Sequence, residues 1–202
     1  ALGSNAGQQT QGNGAVAVGV DSGRSNQGQN AIAIGNTSGN IQQASGAIAI
    51  GISAGQSTQG LDAIAIGVNA GRTSQGANAI AIGELAGSLS QAPNAIAIGL
   101  NAGNTAQGNW STAIGNQAGS FTQGQRAVAI SDSAGYQAQG SGAIAIGYIA
   151  GWFTQGINAV SIGSVAGTTI QGQNAVAIGN NSGATVQGSG SVAIGFSAGA
   201  NT

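Results

Sequence analysis

The chain contains no cysteine and no histidine. Without thiols there is neither a disulfide nor a thiolate metal site, and without imidazole the commonest metal ligand and general base are missing. Charge is nearly absent as well. Asp21, Arg24, Asp62, Arg72, Glu84, Arg126 and Asp132 are scattered singly, leaving no basic run to meet nucleic acid or anionic lipid. Catalysis would have to rest on four carboxylates. Only Glu84 and Asp132 share a place in the repeat described below, and about 14 Å of stacking separates them, too far to flank one glycosidic bond. Asp21, Asp62 and Asp132 do not recur at one position, as the ligands of a calcium-binding roll would. Neither an enzyme nor a cofactor or metal site is expected. Apolar runs are broken every few residues by Gly, Gln or Asn, so none approaches the roughly 20 residues of a spanning helix, and no membrane insertion by this segment is expected. There is no initiator Met and no basic-then-apolar leader, which leaves processing, or a piece cut from a longer array, as the two readings.

In place of these features there is glycine, 39 residues of it, and a repeat. Ala31, Ile32, Ala33, Ile34 and Gly35 spell AIAIG, and the motif returns every sixteen residues. With its first Ala as position 1, the unit reads AIAIG, two variable residues, Ala-Gly, three variable residues, Gln-Gly and two more. Eleven complete units run from Ala15 to Gly190 without insertion or deletion. A fixed period of this kind signals stacked identical units, and it overrides ordinary domain reasoning.

AIAIG alternates with a period of two, which is strand patterning and gives no coherent helix face. Gly at position 5 permits a corner, and only Ser131 departs from it. Gly at position 9 occurs in every unit and marks a place without room for a side chain. Positions 10 to 12 vary most and read as a second, more exposed strand, with Gln at position 13 after it. Pro93 falls in the second loop, where no ladder donor is needed. A flexible Gly-rich linker would not place β-branched residues at two fixed positions of each unit. The fold class expected is all-β: residues 1–202 as a single parallel β-solenoid domain, one repeat per coil, about twelve and a half coils and roughly 60 Å long at the inter-strand spacing.

Ser191, Val192, Ala193, Ile194 and Gly195 spell SVAIG, and Ala175 to Gly179 and Ala143 to Gly147 are close variants. These units resemble the YadA-like head repeat of trimeric autotransporter adhesins, although the regular sixteen-residue unit is longer than usual for that family. The resemblance implies a left-handed β-roll that trimerises, projects from a Gram-negative cell surface and binds host or matrix molecules. Virion and matrix fibres carry comparable arrays.

Four groups of residues are candidates for function. The Gln column, with Gln27, Gln59, Gln75, Gln107, Gln139 and Gln171 among its members, reads as a structural ladder in which stacked amides bond from coil to coil. Tyr136 and Trp152 share position 10 in adjacent coils, Phe121 and Phe153 share position 11, and these four are the candidate surface for a glycan or protein partner; Tyr148 is nearby in sequence. Thr10, Thr58, Thr122, Thr154 and Thr202 share position 12, the kind of row an ice-binding face uses, but Asn26, Gln42, Ala106, Ile170 and Val186 interrupt it. Finally, AIAIG is apolar on both faces, and a strand of that kind is normally covered on both.

One face fills the coil and the other needs a partner. Ile64 and Ile66 are assigned to the interior, against Ala70 and the small residues of position 12. Ala63, Ala65, Ala97 and Ala145 then belong to a flat outer strip that packs against another copy. Exchanging the Ile and Ala assignments would leave the need for a partner unchanged. A dimer would serve equally, and the trimer comes from the resemblance. The leading function is an extracellular structural or adhesive fibre segment. The alternative is a filament subunit whose uncapped coil ends stack end to end.

Overall fold

The structure, a computed structural model, describes residues 1–200; Asn201 and Thr202, and with Thr202 the last member of the Thr row, lie outside the described residues. The described chain winds into a parallel β-solenoid with one sixteen-residue unit per coil. Its two sheets have twelve strands each. The first is built from positions 2 to 4, running from Val16–Val18 to Val192–Ile194. The second ends each strand at the Gln of position 13, running from Gln9–Gln11 to Val186–Gln187.

Pairing is parallel and strictly in register, so each residue sits over its own repeat position: Ile80 on Ile96, Ala81 on Ala97, Gln91 on Gln107. The ladder continues through the corners, where Gly51 N donates to Ile34 O at 2.8 Å and Ser53 N to Asn36 O at 2.9 Å. Backbone donors and acceptors are therefore satisfied mainly by the coils on either side, as a chain with so small an apolar core requires.

The face assignment read from the sequence is reversed in the structure. Ala63, Ala65, Ala97 and Ala145 are fully buried inside their own coils, and Ile34 and Ile66 point outward, 38% and 37% exposed. The reason is the width of the coil. Ala at position 3 faces the position-9 glycine so closely that a Cβ built on Gly71 would lie 3.2 Å from Cβ of Ala65, and one on Gly151 would lie 3.3 Å from Cβ of Ala145. That gap holds a methyl group and excludes a branched side chain. Ala70 is interior, as expected, but position 12 is not: Thr58, Thr122 and Thr154 are exposed.

The Gln of position 13 takes the place across the coil that position 12 was assigned, and the remaining interior is a column of Ala at positions 3 and 8. Position 12 also changes backbone conformation along the rod. Thr10, Asn26 and Gln42 have φ of 47°, 56° and 55°, whereas from Thr58 onward the position is extended strand. The Thr row is thus broken in geometry as well as in sequence.

Position 5 has the tightest stacking. A Cβ on Gly51 would come within 2.6 Å of the Gly67 carbonyl oxygen in the next coil. Ser131 carries such a Cβ at φ 107°, and the bonds to the following coil lengthen locally, to 3.0 Å for Gly147 N to Ile130 O and 3.1 Å for Ile149 N to Asp132 O.

The narrow interior yields a direct test. Ala97→Val should cost about 1–3 kcal/mol through overpacking, while Ile98→Val, on the outward side, should change single-chain stability by less than half as much. Thermal denaturation of both variants measures the difference, and equal effects would count against the inward placement of Ala97.

Candidate functional site

The Gln column is the best-defined polar arrangement in the molecule. Gln27, Gln59, Gln75, Gln107, Gln139 and Gln171 are all at least 97% buried. Each swings its side chain across the coil under the position-9 glycine of its own unit. A Cβ on Gly55 would meet Oε1 of Gln59 at 2.7 Å, which is why position 9 is glycine throughout. Nε2 of each Gln donates to the position-2 carbonyl on the facing strand: Gln59 to Ile48 at 2.7 Å, Gln107 to Ile96 at 2.6 Å, Gln139 to Val128 at 2.6 Å. In most coils a second, longer bond goes to the position-1 carbonyl of the next coil, as from Gln59 to Ala63 at 3.2 Å.

The Gln side chain is therefore first a strut between the two sheets and only second a rung along the axis. Amide-to-amide bonds join Gln43 to Gln59, Gln75 to Gln91, and Gln155 through Gln171 to Gln187. Gln107, Gln123 and Gln139 each keep a buried Oε1 without a hydrogen-bond partner. Ser161 is the one polar residue at position 3, and its Oγ donates to Oε1 of Gln171 at 2.8 Å, a second donor to that oxygen beside Nε2 of Gln155.

The four aromatic candidates come together. Phe121 meets Tyr136 edge to face with centroids 5.0 Å apart, Tyr136 lies 5.9 Å from Trp152, and Trp152 lies 4.5 Å from Phe153. In-register stacking brings positions 10 and 11 of successive coils to one edge, so the rings form a single run across three coils. They pack on one another and remain accessible: Phe121 is 45% exposed and the other three are half-buried. Thr122, Gln137 and Thr154 beside them are exposed and uncharged, so the patch is aromatic and neutral. Tyr148 does not join the run; it sits at position 6, beyond the corner, beside the outward Ile face.

Sequence reasoning passed over a second aromatic feature. The Arg126 guanidinium lies 5.3 Å from the centre of the Trp110 ring, within cation–π range, and both residues are exposed. Their common place at position 16 in consecutive coils was the available signal. The ion pair between Arg24 and Asp21, 3.8 Å apart on the surface, contributes little.

Residues 155–182 and 171–198 match the family model of the YadA head domain repeat, two copies that start one coil apart. No curated protein matches the chain. The matched stretch contains AVSIG, AVAIG and SVAIG, three variants of the motif that recurs throughout the chain.

Two substitutions test the strut. Ser161→Ala, which removes the shorter of the two hydrogen bonds to Gln171 Oε1 and leaves the one from Gln155, should lower stability by up to about 1 kcal/mol; Ala129→Ser, placing a hydroxyl opposite the orphaned Gln139 oxygen, should raise it. Opposite shifts in melting temperature would bear this out. In the aromatic run, Trp152→Ala removes two ring contacts and should cost about 1–3 kcal/mol, against roughly half that for Phe121→Ala, which removes one. Equal losses in thermal melts would mean that the run does not stack as a unit.

Proposed function

We propose that this chain is a segment of an extracellular adhesive or structural fibre, working as a rigid rod that packs side by side with further copies of itself. The observation that carries this reading is the uncovered outer face of the first sheet. Ile and Val of positions 2 and 4 form two columns there, interrupted at position 2 by Thr112, and flanked at position 6 by exposed Val20, Ile52, Val68, Leu100 and Tyr148. Eleven inter-strand steps of about 4.8 Å and some five residues of about 3.3 Å give a face of roughly 870 Å². That matches the area each partner contributes to a stable interface and exceeds the largest apolar patch of a typical monomer.

A second copy is the natural occupant, because a flat two-column apolar sheet complements another of the same kind. The match to the YadA head domain repeat supports an adhesin-like role, and the resemblance to trimeric adhesins favours three copies. In such an assembly the run from Phe121 to Phe153 lies beyond the corner from the packed face. It is free to contact a glycan or a host or matrix surface, with rings as the apolar contact and neighbouring Thr and Gln as hydrogen-bonding groups.

Light scattering on the purified chain should show an oligomer at micromolar concentration. Ile98→Asp combined with Ile146→Asp, placing two charges in the middle of the face, should reduce it to monomers that keep the β-sheet circular dichroism spectrum. A monomeric unmodified chain would sink the proposal, and long fibres by electron microscopy would instead favour end-to-end stacking.

A further inference from the structure

The polar groups of the aromatic run are unengaged within the chain. In several other coils position 10 turns its side chain back onto the turn formed by positions 5 to 9: Asn40 donates to Asp21 O at 2.7 Å, Asn104 to Leu85 O at 2.9 Å and Thr168 to Val165 O at 2.7 Å. Positions 7 and 10 are therefore neighbours. Tyr136 and Trp152 hold position 10 without making such a bond. Among the described residues, neither the Tyr136 hydroxyl nor the Trp152 indole N–H bonds to a group of the chain, and the side chains of Thr122, Gln137 and Thr154 beside them are equally free.

Backbone strain marks the same place. Position 7 has positive φ in every described coil and is usually polar, as at Asn69, Asn101 and Ser133. Ile149 and Val165 hold it in the unit of Trp152 and in the next one, at φ 58° and 61°, a region that β-branched side chains enter only under strain. The turn itself does not call for them, since Ser133 and Asn181 serve it equally. What they add is apolar surface that continues the run into the turn.

Charge and ring geometry narrow the ligand. After Arg72, positions 10 to 12 carry no charge as far as Ala200, and Arg72 lies four coils before Tyr136, about 19 Å away. Arg126 is on the opposite turn, stacked on Trp110. The charge nearest to Tyr136 in sequence is Asp132, a carboxylate that accepts from Ser133 and Asn116. An acidic glycan would meet no cation here and one carboxylate to repel it. The planes of Tyr136 and Trp152 differ by 33° and those of Trp152 and Phe153 by 53°, so the rings form a stepped strip and not the flat platform that a crystalline sugar surface needs. Their centroids are 5.9 Å and 4.5 Å apart, close to the length of a pyranose, and in-register stacking keeps the strip straight.

We propose that the run binds a single chain of a neutral, extended, β-linked polysaccharide, lying along the rod axis with roughly one sugar per coil. The C–H faces of the sugars meet the rings, and their hydroxyls exchange hydrogen bonds with the Tyr136 hydroxyl, the Trp152 N–H, Gln137 and the neighbouring Thr side chains. A helical glycan would leave so straight a strip after a few sugars. This names the ligand of the aromatic run and rests on the adhesive reading above.

Native electrophoresis of the purified chain through gels containing soluble β-glucan, xylan or glucomannan tests it. At least one of the three should retard the chain, and polygalacturonate and amylose should not. Trp152→Ala should weaken the retarding affinity roughly tenfold. Tyr136→Phe, which keeps the ring and its packing, should weaken it about fivefold, and it carries the test if circular dichroism shows Trp152→Ala unfolded. Trp110→Ala, on the opposite turn, should leave it unchanged. Normal mobility in all three neutral gels overturns the proposal and leaves the run to a protein partner. Equal retardation by polygalacturonate or amylose, or a loss as large with Trp110→Ala, overturns it as well. Light scattering on the same samples separates the two readings: an oligomer without retardation keeps the side-by-side rod and removes the glycan, and a retarded monomer does the opposite.

Discussion

The architecture depends on one constraint, the gap of about a methyl group between the first sheet and the backbone of position 9. It fixes Ala at position 3, glycine at position 9 and a long, flat polar arm at position 13 that slides beneath that glycine. A branched residue on the inner side of the strand would force the sheets apart and break the contact from Gln Nε2 to the facing carbonyl. So thin an interior buries little apolar area per coil, and stability comes instead from hydrogen bonds repeated along the axis. The Gln strut ties the two sheets together within every coil, which the backbone ladder alone does not do.

The same constraint produces the outer face. Because the interior accepts only methyl groups, the β-branched residues that favour the strand must point away from it. A single chain therefore displays the apolar surface that most folds conceal. The surfaces on which the proposed function draws are outward ones: the Ile and Val columns on one side, the aromatic run on the second-sheet side of the corner. Exact stacking turns each repeat position into a line along the rod, so a substitution in one unit changes one rung. Clusters such as Phe121, Tyr136, Trp152 and Phe153 arise when neighbouring units change together.

The coil, its period, its corners and its in-register stacking were legible in the sequence, because strand alternation, corner glycines and an unbroken sixteen-residue spacing are local signals. Apolarity on both sides of AIAIG was legible for the same reason, and so was the alignment of the aromatics, which follows from shared repeat positions alone. Which side of the strand faces inward was not. Alternation gives two faces without ranking them, and the preference for burying the larger residue pointed the wrong way. Only the distance between the folded layers, set by where the chain turns at positions 5 to 9, decides that Ala65 fits and Ile66 does not. The Gln column announced its regularity in sequence, but its reach across the coil to the position-2 carbonyl, and its placement beneath glycine, depend on two segments eleven residues apart being brought face to face, which is a property of the closed coil.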